Sequence, residues 1–157
     1  MTSSSTLMKP PASCARAWVA VYWVLMGCFI VSAALNLLGV RGGFFTNHLA
    51  DLTLPALLYV LARELAPGRA LSFRPLTGWV GRTPERAAVV LFLASTATEV
   101  SQWFWPSGPF AGRFDPLDVG AYGVGLVMVY IPDKRLQGPS PAEQTNDNPD
   151  TGRITMR

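Results

Sequence analysis

AWVAVYWVLMGCFIVSAALNLLGV, residues 17 to 40, decides the fold: it is 24 residues long and carries no charge. As a helix it would be about 35 Å long, enough to cross a hydrocarbon core of about 30 Å with some tilt. The apolar region of a secretory signal is roughly 7 to 15 residues long, so Lys9 and Arg16 ahead of this run do not make it a cleaved leader. It reads as a membrane-spanning helix.

The rest of the chain has the same character. Its 157 residues are 50% hydrophobic and 15% charged, with mean hydropathy +0.27, whereas a soluble domain carries about 25% charged residues. The length suits one domain. Net charge is +3 and pI about 9.2, but most arginines fall between apolar runs and no basic stretch is interleaved with aromatics. Topology explains them, and a nucleic-acid partner is not expected. The two cysteines are too few for a disulfide framework. Cys28 lies inside the first run as a small hydrophobe, and Cys14 on a polar lead-in that lacks the apolar stretch of a lipoprotein signal.

Three more spans follow. The second covers about Asn47 to Ala62, with Thr46 and Asn47 as N-caps and a stop at Arg63-Glu64 before Pro67-Gly68. In the third, Thr83-Pro84-Glu85 places an N-cap before proline at the first helical position, and Pro106 ends the helix after Trp105. The fourth opens at Asp115-Pro116-Leu117-Asp118 and runs to Ile131, closed by Pro132. The expected fold is an all-α membrane protein of four transmembrane helices. A disordered lead-in (1–16) precedes the bundle (17–132), and a disordered tail rich in Pro, Asn, Asp, Gln and Ser (133–157) follows it.

Orientation follows from the basic residues. Lys9, Arg16, Arg63, Arg69, Arg74, Arg82, Arg86, Lys134 and Arg135 fall on one side, and only Arg41 and Arg113 on the other. Cytoplasmic loops retain the positive excess, so both termini are expected in the cytoplasm, in a multi-pass protein of the bacterial inner membrane. The intramembrane polar residues then gather at the outer ends. These are Asn36 on the first span, His48 and Asp51 on the second, Glu99 and Gln102 on the third, and Asp115 and Asp118 on the fourth. Glu99 precedes Trp105 by six residues, about 9 Å of helix below the outer aromatic level. A charge there costs roughly 2.5–3.5 kcal/mol at the bilayer centre, which makes such residues functional by default.

Spacing groups them further. His48 with Asp51, and Glu99 with Gln102, stand at i and i+3, with Ser95 and Thr96 on the Glu99 face. Asp118, Ala121, Tyr122 and Gly125 share a face of the fourth helix, where Ala121 and Gly125 have the small-xxx-small spacing of close helix approach. Structural readings stand beside these. Asp115 and Asp118 fit N-cap and N3 positions; Glu99 could lock the bundle by pairing with Arg113 or Arg41; His48 could simply neighbour a cap. His48, Asp51, Glu99 and Asp118 are suitable metal ligands, but no compact ligand spacing supports a site. Neither metal nor cofactor is assigned. Trp103, Phe104 and Trp105 read as an outer interfacial belt, with Trp18, Tyr22 and Trp23 as its inner counterpart.

Glu99-x-x-Gln102, then Arg113-Phe114-Asp115-x-x-Asp118, then a fourth span containing Gly125, resemble the VanZ-like family of small bacterial membrane proteins over about Phe44 to Ile131. The resemblance implies a four-helix inner-membrane bundle linked to teicoplanin (glycopeptide) resistance, with Glu99, Gln102, Asp115 and Asp118 at the family's polar positions. Tyr122 stands where the family often has asparagine, and Arg113 abuts Phe114 where one residue commonly intervenes.

The leading expectation is an outward-facing pocket of His48, Asp51, Glu99, Gln102, Arg113, Asp115 and Asp118 that binds a membrane lipid or lipid-linked cell-wall precursor. One alternative is a lipid-acting enzyme using Glu99 and Asp118 as acid and base, in which His48 needs a hydroxyl such as Ser101 to serve as a base. The other is a small assembly subunit or homo-oligomer formed through the Ala121/Gly125 face.

Overall fold

The computed structural model describes residues 12–40, 43–68, 78–105 and 114–137. Lys9, Arg41, Arg69, Arg74 and Arg113 lie outside them. The described residues form no strand and four long helices, α1 (Ala12–Leu37), α2 (Phe44–Ala62), α3 (Pro84–Phe104) and α4 (Pro116–Gln137). Two stretches, Cys14–Leu37 and Pro84–Phe104, are long and apolar enough to cross a membrane, and only 11% of each apolar window is buried. The core helix of a soluble protein would hide its apolar residues; here Val24, Ile30 and Val31 of α1 and Val89 and Leu93 of α3 are exposed.

Helix α2 is the hub. It lies against α1, α3 and α4, while α1 makes its helix contacts with α2 and α3 lies against α2 and α4. Thr53, Pro55, Ala56, Leu57, Tyr59, Val60 and Ala62 are all buried. The tightest approach is at Gly125 of α4, which packs on the α2 backbone at Leu52. A Cβ there would lie 3.0 Å from the Leu52 carbonyl carbon and closer still to its oxygen. The Gly125 end of the small-residue face of α4 thus packs within the chain, on α2.

The apolar core sits toward the end where Arg63, Arg86 and Lys134 lie. Trp18, Tyr59, Val60, Ala66, Val80, Ala87 and Val129 pack there. Trp18 is 5% exposed, so it is a core residue and not part of an aromatic belt. Trp103, Phe104 and Trp105 at the other end are exposed, as a belt requires.

Helix ends separate local from tertiary control. Thr83 caps α3 by accepting from the Arg86 N–H at 3.2 Å, and Asp115 caps α4 by accepting from the Leu117 N–H at 2.9 Å, as the sequence predicts. Helix α2 begins earlier than expected. Its N-cap is Gly43 at φ 81°, without a side-chain cap, and Thr46 and Asn47 fall inside the first turn. Helix α1 also begins early, at Ala12, and half-buried Cys14 packs on the core instead of riding on a free lead-in.

Helix α4 continues through Pro132 to Gln137, correcting the boundary expected there. The loss of one backbone hydrogen bond at proline is offset by Asp133, which is 3% exposed. Its carboxylate accepts from Tyr59 Oη at 2.7 Å and from Arg63 Nε at 2.8 Å, and Gln137 Nε2 donates to it at 3.3 Å. Arg63 also donates to the Gly81 carbonyl. One ion pair therefore fastens α4 to α2 and to the turn before α3. Residues 133–137, expected in a disordered tail, belong to the bundle.

The C-termini of α1 and α2 share one hydrogen-bond pattern. Val40 N–H reaches Leu35 O and Gly39 N–H reaches Asn36 O; Leu65 N–H reaches Val60 O and Glu64 N–H reaches Leu61 O. Both are Schellman caps, which need a left-handed residue. Gly39 supplies it at φ 69°, but after α2 the position is held by Glu64 at φ 52°. Glu64 is exposed, so Glu64→Gly should raise stability by about 1 kcal/mol, read as a higher Tm of the detergent-solubilised protein.

Candidate functional site

The polar residues of three helices meet at the end opposite the Arg63–Asp133 pair. Helix α2 contributes His48 and Asp51 one turn apart, α3 contributes Glu99 and Gln102, and α4 contributes Asp118 and Tyr122, with Asp115 at its cap. Each pair is at i, i+3 or i, i+4, so its two members share one face of their helix. Asn36, at the end of α1, is exposed and takes no part.

The closest contact joins residues 70 positions apart. His48 Nδ1 donates to Asp118 Oδ1 at 2.6 Å, with side chains 13% and 17% exposed. Tyr122 Oη donates to Glu99 Oε1 at 2.7 Å and stands 3.4 Å from Asp51 Oδ1. A phenol has one proton, and the shorter contact takes it. Gln102 Nε2 reaches Glu99 Oε1 at 3.4 Å. Asp51 also lies in the electrostatic field of both Asp118 and Glu99.

Among the described residues, the side chains gathered here carry more acceptors than donors. Four carboxylates share one imidazole N–H, one phenol, one weakly placed amide and the Leu117 backbone N–H. Glu99 is 4% exposed, and its Oε2 is buried without a hydrogen-bond partner; Thr96 Oγ1 is in the same condition. Leaving a buried acceptor unsatisfied costs about 1–3 kcal/mol, more for a charged group. Explanations for such a group include a catalytic role and an ordered water or ion.

Three potential metal-ligand atoms, one each from His48, Asp115 and Asp118, lie within 4.8 Å of one another. Sequence spacing assigned no metal and weighed a different set. Asp115 joins from the N-cap of α4, one turn before Asp118, whereas Glu99 is bonded to Tyr122.

Of the expected site residues, the structure brings together His48, Asp51, Glu99, Gln102, Asp115 and Asp118. Arg113 and Arg41 lie outside the described residues, and the partner seen for Glu99 is Tyr122. Sequence reasoning placed Tyr122 on the right face but did not include it in the site; its i+4 spacing from Asp118 was the available signal. Ser101 donates to the Thr98 carbonyl of its own helix at 2.6 Å.

Comparison of the chain with family models, with curated proteins and with solved structures finds no match.

Proposed function

We propose that this chain is a four-span membrane protein, VanZ-like as its Glu99-x-x-Gln102 and Asp115-x-x-Asp118 motifs suggest. Both termini face the cytoplasm, and the polar cluster forms an outward-facing pocket for the head group of an envelope lipid or lipid-linked cell-wall precursor. One observation carries the reading: four carboxylates and His48 converge at one end of the helices, with Glu99 Oε2 buried and unpartnered. An acceptor-rich, donor-poor cleft suits a ligand that brings N–H or O–H groups or positive charge. Sequestering such a precursor would connect the pocket to glycopeptide resistance.

Binding is favoured over catalysis, because His48 is engaged by Asp118 and Ser101 by its own helix. The test purifies wild type, Glu99→Gln and Asp118→Asn in mild detergent and identifies co-extracted lipids by mass spectrometry. A lipid retained by wild type and lost from both variants at equal protein recovery is expected. Identical lipid profiles for all three would overturn the reading.

Orientation is tested separately. With Cys14 and Cys28 removed, a membrane-impermeant maleimide on intact cells should label Phe114→Cys and spare Gly78→Cys. The reverse pattern would turn the cluster to the cytoplasm.

A further inference from the structure

We propose that His48, Asp115 and Asp118 bind one divalent transition-metal cation, which in turn meets an anionic oxygen of the ligand. That the metal grips a phosphate or similar group rests on the head-group reading above. The metal site itself does not.

The geometry requires little movement. Donors around a metal at about 2.1 Å lie about 3.4 Å apart in a tetrahedron and about 4.2 Å apart when trans, and the three donor atoms here already lie within 4.8 Å. The 2.6 Å contact between His48 Nδ1 and Asp118 Oδ1 is shorter than two ligands of one ion allow. Metal entry therefore replaces the N–H···O bond with two metal–ligand bonds, and the imidazole proton moves from Nδ1 to Nε2, so that the neutral ring binds through Nδ1. Asp115 Oδ1 holds the α4 cap by accepting from the Leu117 N–H, which leaves its second oxygen for coordination. The ligands come from α2 and from the first turn of α4, two helices fixed against each other at Gly125 and Leu52.

An observation outside the ligand set points the same way. Glu99 Oε2 is buried and unpartnered. Glu99 is joined to the cluster through Tyr122, whose hydroxyl reaches both Glu99 and Asp51. A carboxylate with one buried oxygen left without a donor, in a cluster with Asp51 and Asp118, is stabilised by positive charge arriving nearby. A divalent ion neutralises its two carboxylate ligands, so the loaded centre adds no net charge to a low-dielectric setting.

Ligand type selects the ion. One imidazole with carboxylates suits zinc, manganese, iron or cobalt, whereas calcium and magnesium favour all-oxygen shells. Three protein ligands leave a position open for water or an exogenous oxygen. The metal also resolves a conflict in the head-group reading, because carboxylates repel a phosphate and a bridging cation attracts it.

The experiment uses the full chain in detergent with Cys14 and Cys28 replaced by serine, stripped with chelator and titrated with Co²⁺ as a spectroscopic probe and then with Zn²⁺. Expected is one equivalent, a visible d–d absorption with Co²⁺, and its displacement by Zn²⁺. His48→Gln and Asp118→Asn should each weaken binding by more than the tenfold or so that loss of even an outer-shell partner costs. The proposal is overturned if wild type shows no saturable Co²⁺ band, or if both variants bind as wild type does. Lipid extraction with and without chelator separates the two readings. Lipid retained by chelator-treated wild type and lost from Asp118→Asn removes the metal bridge and keeps the pocket. Saturable Co²⁺ binding with no lipid difference removes the head-group reading and keeps the metal.

Discussion

Gly125→Ala should unfasten the bundle. The added methyl group would enter the Leu52 carbonyl of α2, meeting the oxygen inside van der Waals distance and the carbon at 3.0 Å. Overpacking typically costs 1–3 kcal/mol where side chains can yield. Here the obstacle is backbone in the middle of a buried helix, so a loss of about 3 kcal/mol or more is expected. The control lies on the same helix. Gly120 has no heavy atom within 4 Å of its would-be Cβ, and Gly120→Ala should stabilise by up to about 1 kcal/mol through helix propensity. Thermal unfolding followed by size-exclusion fluorescence reads both, and equal Tm values for the two variants would contradict the packing argument.

Asp133→Ala is the second large effect. It strips Arg63 of its carboxylate and Tyr59 of its acceptor in one step. Breaking a buried pair by removing one partner costs about 3–5 kcal/mol. The Arg63 side chain is 11% exposed and can partly rehydrate, so the lower end, about 3 kcal/mol, is expected. Tyr59→Phe removes one hydrogen bond and should cost about 1 kcal/mol. In the double variant Arg63→Met/Asp133→Leu no charge is stranded, and much of the loss should return. Denaturant titration of the four proteins checks the order, and a double variant worse than Asp133→Ala alone would refute the clamp.

Features governed by neighbours in sequence were legible. Thr83-Pro84 and Asp115-Pro116 start helices because the cap, the missing proline N–H and the acid in the first turn act within four residues. The gathering of His48, Asp51, Glu99, Gln102, Asp115 and Asp118 at one end was legible too, since antiparallel helices bring alternate ends together. What the sequence could not display was decided across the fold. Pro132 looks like a stop until Asp133 finds Tyr59 and Arg63 some seventy residues away. Trp18 looks interfacial until Ala66, Val80 and Ala87 cover it. The pairing of His48 with Asp118 and of Tyr122 with Glu99 depends on the rotation of each helix about its axis, which Gly125 against Leu52 sets.

The dependence of so much on α4 has a consequence for biosynthesis. Of these four helices α1 and α2 emerge from the ribosome first, and they can pair as a hairpin, since the helix contacts of α1 are with α2. Glu99 follows in α3 while its partner Tyr122 is still inside the ribosome, so a carboxylate emerges uncovered. Only when the chain passes residue 133 do the tyrosine that covers Glu99, the glycine that seats α4 and the aspartate that fastens its end all exist.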